Sequence, residues 1–322
     1  MDENNPVITF TINPSLDINA AVDTLEPVKK MRCSNVMIDP GGGGINVSRT
    51  ITRLGGSSTA VFLAGGSTGK SIETMLDEEG VKSAPAALDG TTRQNIAVQE
   101  KKTGDQYRFA LPGPEISEQE WQQCLDKAAE QGRAADYVVA SGSLPPGAPD
   151  DLYARLAARF QDSPVRIVLD TSGDALKHAL DQDVYLIKPN QRELEYVCGC
   201  SLDREEDQER VCRDMIAKGR CEVLVLTLGK DGALLTSEKE QIRIPGHKVD
   251  EVSSIGAGDS FVGAMVLALQ RNEKLTDALL YGMAAGTATL MTEATQLCRR
   301  EDTQKLYEKY QEICSRVQCR TS

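Results

Sequence analysis

"SSIGAGDSF" spans residues 253–261, and its reading decides how the rest of the chain is understood. Glycine, alanine and glycine run directly into a lone carboxylate, Asp259, ahead of an apolar stretch that reads as a buried helix. The permissive backbone therefore sits at the amino end of that helix. The first N–H groups of a helix have no intrahelical partner, and the peptide dipoles place partial positive charge there. With so little side chain in the way, Gly256, Ala257 and Gly258 can crowd their amides onto an anion. One reading makes this a cup for a transferring phosphoryl group, with Asp259 accepting the proton of the attacking hydroxyl. The other makes Asp259 an ordinary N-cap. Taken alone, the stretch leaves both open.

A second glycine run, "GGGGINVSRTITRLGG" (41–56), enters an amphipathic helix in which Ile45, Val47, Ile51 and Leu54 share or flank one face. It is not a dinucleotide fingerprint, because the G-x-G-x-x-G spacing with an acid ~20 residues on is absent. Nor is it a P-loop, since no Gly-Lys-Ser/Thr follows at the required place. Either the run is a tight strand-to-helix turn, or its bare backbone lies against a sugar whose hydroxyls bond Asn46.

Around these runs the chain alternates. "VITFTINPSLD" (7–17) reads as a first strand and "STAVFLAGG" (58–66) as another. Helices are expected over "TGKSIETMLDEEGV", near 117–131 and near 150–161. "DYVVASGSLPPG", "VRIVLDTSG", "VYLIKPNQREL" and "EVLVLTLGKDGALL" supply further strands. Strands separated by helices imply an α/β fold with a mainly parallel sheet covered on both faces. Two stretches break the rhythm, at about 14–39 and 92–112. The second holds two polar-alternating strands around a Thr-Gly-Asp turn, which is hairpin chemistry. The expectation is one domain over 1–322 with a discontinuous small sheet. The polar clusters "NPSLD", "SGSLPPG", "KPNQRE" and "TLGKDG" fall at strand ends, the edge where open parallel sheets bind ligands.

The bulk numbers narrow the function. The 322 residues carry a net charge of −12, which argues against wrapping nucleic acid and against a basic membrane-docking face. Nine cysteines, none in a Cys-x-x-Cys pair, read as buried or incidental thiols in a reducing compartment. No apolar run approaches the ~18 residues of a spanning helix, and "MDENNPVITF" lacks the pattern of a secretory leader; a cytoplasmic protein is expected. Two histidines outside any Cys/His cluster leave little room for a zinc site or a Ser-His-Asp hydrolase.

"GGGGINVSR" and "IGAGDSFVGA", with "NPSLD", "TRQN", "SGSLPPG", "KPNQRE" and "TLGKDGAL" in the same order, resemble the signatures of PfkB-type carbohydrate kinases of the ribokinase superfamily. The resemblance covers nearly the whole chain. It implies a ribokinase-like α/β domain with a small β lid, homodimers clasped through that lid, and direct phosphoryl transfer from MgATP to a sugar hydroxyl. By resemblance Asp259 is the base, with Gly256, Ala257 and Gly258 as the anion hole. Asn190 and Glu193 match the Asn-x-x-Glu motif that positions Mg2+ through water. Lys188, Asn190 and Arg192 would lie near the nucleotide phosphates, with Thr227, Gly229 and Gly232 along the nucleotide loop. Asp17 and Asn46 would bind sugar hydroxyls, with Gly42 and Gly43 packed close.

Arg93, Lys30, Arg32 and Ser143 match positions that bind substrate phosphate in the family's phosphofructokinases, with Arg32 a candidate to serve the neighbouring subunit. The planar fork of arginine suits phosphate. The resemblance therefore implies a phosphorylated ketohexose, with fructose 6-phosphate converted to fructose 1,6-bisphosphate. Relatives acting on fructose 1-phosphate or tagatose 6-phosphate, which typically carry lysine at the position of Gly43, are the alternative. A catalytically idle sensor of nucleotide or sugar phosphate is a further one. Ser253 and Ile255 match two positions whose carbonyls hold K+ in some relatives. The chain departs from the pattern at Arg192, where lysine is usual, at Thr292 and Ala294, and at Gln296, where arginine is usual.

Overall fold

The computed structural model describes residues 6–321, with side chains as far as Arg316. Its strands are β1 (Val7–Thr11), β2 (Ser15–Val22), β3 (Ser34–Gly41), β4 (Ser58–Ala64), β5 (Lys82–Ala87), β6 (Arg93–Glu100), β7 (Gln106–Ala110), β8 (Tyr137–Ser141), β9 (Arg166–Asp170), β10 (Leu186–Ile187), β11 (Val223–Thr227), β12 (Ala233–Ser237) and β13 (Gln241–Ile244). The helices are α1 (Gly43–Arg53), α2 (Gly66–Glu78), α3 (Glu118–Gly132), α4 (Leu152–Ala158), α5 (Gly173–Ala179), α6 (Gln191–Cys198), α7 (Glu205–Ala217), α8 (Ala257–Gln270), α9 (Leu275–Leu290) and α10 (Arg300–Thr321).

Nine strands form the main sheet in the order β13-β12-β11-β10-β9-β8-β1-β4-β5, parallel throughout except where β12 runs antiparallel to both neighbours. β1 and β8 are buried at every position, which is why "VITFT" and "YVVAS" carry so little exposed polarity. One face is closed by α3 to α7 through residues such as Trp121, Leu125, Leu156, Leu194 and Val211. The other is closed by α1, α8, α9 and α10. α8 is buried from Ser260 to Gln270 and is accordingly apolar on all sides.

The rhythm-breaking stretches pair into a separate four-stranded sheet, β3-β2-β6-β7, in which β2 and β6 are parallel. Its turn between β6 and β7 uses Gly104 at φ 79. Among the described residues no helix is long and apolar enough to cross a membrane. The expectation of buried thiols is met by Cys124, Cys212, Cys221, Cys298 and Cys314 and fails at Cys33, Cys198 and Cys200, which reach solvent. The Cys319 side chain lies outside the described residues.

Candidate functional site

At the carboxyl edge of the main sheet, α8 begins on Gly256, whose φ of 76 turns the chain left-handed just before the helix. Asp259 is the third residue of that helix, so it is not the N-cap, and no side chain caps this end. Ala257 N–H points at the Ser254 carbonyl over a long 3.4 Å, and among the described residues the amides of Gly256, Gly258 and Asp259 make no hydrogen bond. The first turn of α8 thus presents bare donors, with the helix dipole behind them. The Asp259 carboxylate, instead of folding back on its own helix, accepts a 2.8 Å hydrogen bond from Asn46 Nδ2 on α1.

Asp259 keeps a small exposed edge but is hemmed in by protein on all other sides. That burial, with the nearby Asp170 charge, pushes its carboxyl up to about 7, against the opposing pull of Asn46 and Lys188. Lys188 is buried and its Nζ lies 3.0 Å from Asp170 Oδ1. Burial works against the ammonium, but Asp170, aided by Glu193 and Asp259, more than offsets it and keeps Lys188 protonated above its ordinary range. A Cβ on Gly258 would fall 3.6 Å from Lys188 Nζ, so the cation stands over the bare helix turn.

The glycine run is closed in by the protein itself. A Cβ at Gly41 would meet the Asp17 carboxylate at 2.2 Å, at Gly43 Ser141 Oγ at 2.1 Å, and at Gly44 Thr11 Oγ1 at 2.5 Å. Gly42, at φ 113, presses on Thr11 and Pro14. The glycines are required first by the close approach of β3 and α1 to the ends of β1 and β8. Asp17 Oδ1 is fixed by Ser15 Oγ at 2.7 Å and Asn95 Nδ2 at 3.0 Å.

Arg93, opening β6, donates to Asn95 Oδ1, the Leu111 carbonyl and the Asn13 carbonyl at 3.1–3.3 Å. Its Nε is buried without an acceptor among the described residues. Burial pulls the guanidinium below its ordinary range, and Asp17 opposes this. Asn13 Nδ2 also donates to Ser143 Oγ at 3.2 Å, so Arg93, Asn13 and Ser143 form one cluster. Lys30 and Arg32 stand apart: both are exposed between β2 and β3, and neither makes a hydrogen bond or ion pair among the described residues.

Asn190 and Glu193 cap α6 reciprocally. Asn190 Oδ1 accepts from Glu193 N–H at 2.9 Å, and Glu193 Oε2 accepts from Asn190 N–H at 2.8 Å. Burial and the Asp170 charge raise the Glu193 carboxyl. A bridge from Asn190 to Thr227 lays this end of α6 beside the end of β11, which continues into Gly229 (φ 58) and Gly232 (φ 102). Arg192 is exposed. Across the crevice, Ser253 Oγ donates to the Ala294 carbonyl at 3.2 Å, and the carbonyls of Ser253 and Ile255 accept no hydrogen bond among the described residues.

Two residues escaped the sequence reading. Asp170 ends β9 in "VLDTSG", so an acid at a strand's carboxyl end was its only local signal. Arg49 is wholly buried on α1, one helical turn past Asn46. It donates to Asn46 Oδ1 at 3.4 Å, to the Pro40 carbonyl at 2.9 Å, to Asp39 Oδ1 at 3.2 Å and to Glu79 Oε1 at 2.7 Å. Burial alone would raise the Glu79 carboxyl, but Arg49 and Arg53 hold it below the usual range. Nothing near Arg49 in sequence announces these partners.

A bare helix turn, an adjacent carboxylate and a buried lysine at the edge of a parallel sheet are an arrangement that could hold an anion. Residues 3–302 match the model of the pfkB family of carbohydrate kinases, and the chain belongs to that family. It is 42% identical over 308 residues, covering 95% of this chain and 91% of the relative, to the ATP-dependent 6-phosphofructokinase isozyme 2 of Mycobacterium tuberculosis. The 1-phosphofructokinase of Bacillus subtilis is 33% identical over 287 residues, 89% of this chain and 93% of that one. The crystal structure of phosphofructokinase-2 from Escherichia coli in complex with potassium superposes with a TM-score of 0.91 at 38% identity, covering 95% and 99% of the two chains. The ribokinase-like α/β fold expected from the sequence is therefore the one observed.

Proposed function

We propose that this carbohydrate kinase transfers the terminal phosphoryl group of MgATP to a hydroxyl of a phosphorylated ketohexose, with fructose 6-phosphate the acceptor. The observation that carries this reading is the amino end of α8, where unpartnered amides adjoin a carboxylate titrating near 7. A general base works best when its pKa lies near the operating pH. Asp259, held by Asn46, takes the proton of the attacking hydroxyl as the new O–P bond forms and the bond to ADP breaks. The amides of Gly256, Ala257 and Gly258 face the charge that builds on the group in flight.

On the acceptor side, Asp17, Asn46, Gly42 and Gly43 line the sugar, and Arg93 with Ser143 takes its phosphate. The cluster of Arg93, Asn13 and Ser143 supports this, because it sets a guanidinium and a hydroxyl side by side at one end of the small sheet. Lys30 and Arg32 add cations from the small sheet, Arg32 toward a neighbouring subunit. On the donor side Lys188, Asn190, Arg192, Thr227, Gly229 and Gly232 receive the nucleotide.

Among the described residues no group of three or more His, Cys, Asp or Glu side chains is arranged to hold a metal. The hard oxygens of Asp170 and Glu193 nevertheless suit Mg2+ that keeps most of its water and rides on phosphate. Asn190 and Glu193 would hold it through that water, and it would neutralise charge between the phosphates. The unbonded carbonyls of Ser253 and Ile255 suit K+ in the same way.

A homodimer is part of the proposal. One face of the small sheet carries the apolar row Ile38, Ile18, Ile96 and Phe109, paired across all four strands, and Ile38 and Phe109 are exposed with Val36 and Tyr107 beside them. Such a patch is what a second copy would cover.

A coupled ADP-release assay over fructose 6-phosphate, tagatose 6-phosphate, fructose 1-phosphate and free fructose tests the reading. Turnover highest on fructose 6-phosphate is expected. Activity confined to a 1-phosphorylated ketohexose would replace it with the activity named for the Bacillus relative. Absence of ADP release with every sugar would leave a sensor.

A further inference from the structure

Away from the crevice, "CGC" at 198–200 closes α6. Gly199 is the C-cap, left-handed at φ 70, and this folds the chain so that Cys198 Sγ and Cys200 Sγ touch at 3.0 Å. A disulfide bond is about 2.05 Å long, so closing one here takes about 1 Å of approach. Cys200 is exposed and Cys198 half-buried. Both line a cavity of about 550 Å³ at the ends of α5, α6 and α7. Its charged lining is Lys177, Arg210, Lys218 and Arg220 against Asp181 and Asp214, an excess of cations on a protein whose net charge is −12. Arg220 pairs with Asp181 and Arg210 with Asp207, while Lys177 and Lys218 make no ion pair among the described residues.

We propose that Cys198 and Cys200 form a thiol–disulfide exchange site whose cavity receives an anionic low-molecular-weight disulfide. The thiolate of Cys200 attacks one sulfur of the incoming disulfide, expelling the first small thiol and leaving a mixed disulfide. The Cys198 thiolate then attacks the Cys200 sulfur, forming the Cys198–Cys200 bond and releasing the second small thiol. Two protein thiols are oxidised, one disulfide is reduced to two thiols, and the protons of the cysteines pass to those thiols through solvent. Cationic walls favour the approach of carboxylate-bearing disulfides. Burial, with the neighbouring Cys200, pushes the Cys198 thiol up to about 11, so the second step speeds up as pH rises.

Oxidised glutathione with intact-mass and peptide mapping tests this on the full chain. The expected result is loss of two hydrogens, mapped to the peptide holding both cysteines and reversed by dithiothreitol. Cys198→Ser should instead trap the glutathione adduct on Cys200. A stable adduct on Cys200 in the unaltered protein, or modification of exposed Cys33 while 198 and 200 stay reduced, overturns the proposal. Lys218→Glu should slow closure by oxidised glutathione at least about threefold while leaving the uncharged bis(2-hydroxyethyl) disulfide unaffected. Equal rates for the two disulfides in both proteins would remove the anion-binding role of the cavity.

Discussion

Two helices present their amino ends to the same crevice, and they are built in opposite ways. α6 satisfies itself: Asn190 and Glu193 exchange hydrogen bonds across its first turn. α8 leaves its end open: it starts on a left-handed glycine, has no side-chain cap, and turns its one carboxylate aside to Asn46. A capped end is a structural device, whereas an uncapped end in a crowded crevice leaves its donors to whatever binds there. The contrast separates an end whose first donors are already paired from one whose donors are left for a ligand, although both read in sequence as an acid or amide near a helix start.

That contrast is open to attack from several sides. The largest effect is expected from Asp259→Asn, which should lower turnover by ~10²–10⁴. In the same variant, removing a carboxylate raised to about 7 should stabilise the fold at pH 8 more than at pH 5. The sign follows from linkage: ionising a group whose folded pKa is raised costs stability as pH climbs from its unfolded value through 7. An unchanged kcat would end the assignment of Asp259 as base.

Gly258→Ala comes next. Its Cβ would make ordinary contact 3.6 Å from Lys188 Nζ, so the fold should survive while the crowded cup loses on the order of tenfold to a hundredfold in kcat. If Tm fell and kcat per folded molecule did not, the amides would have no part in catalysis. Arg93→Ala should raise the KM for the sugar phosphate roughly tenfold or more with nucleotide KM unchanged. A loss seen only in nucleotide affinity would move the phosphate subsite elsewhere.

Smaller still is Asn190→Ala. Losing one N-cap costs about 1 kcal/mol and so about 1–2 °C in Tm, read by calorimetry. A further loss in turnover with MgATP beyond that stability change is expected from the place proposed for Asn190 beside the magnesium, and activity that falls only with stability would leave the residue a cap alone. Finally, kcat/KM should fall as pH drops below about 7, because the protonated Asp259 cannot accept a proton. A flat profile from pH 6 to 8 would place the working pKa elsewhere.

Much of this was legible beforehand because it is local. The spacing of "GAGD" before an apolar run located α8, and the Thr-Gly-Asp turn located the β6–β7 hairpin. The edge of the main sheet was less plain. "EVLVLTLGKDGALL" reads as one further strand, yet the chain turns back through Gly229 and Gly232 so that β12 runs antiparallel to both β11 and β13. Glycines alone do not say whether a strand's successor returns beside it.

The sequence by itself determined the family, the alternation that makes a parallel sheet, and a glycine-rich helix start with an acid beside it. These rest on residues within a few positions of one another, where backbone geometry leaves little choice. Only the tertiary structure decided that Asp170 pairs with Lys188, that Arg49 braces Asn46, and that Asp259 leans toward Asn46 from a position 213 residues away. Such partners are chosen by how β9, α1 and α8 pack around one edge of the sheet, and burial there sets their charges. No pattern read along the chain carries that information.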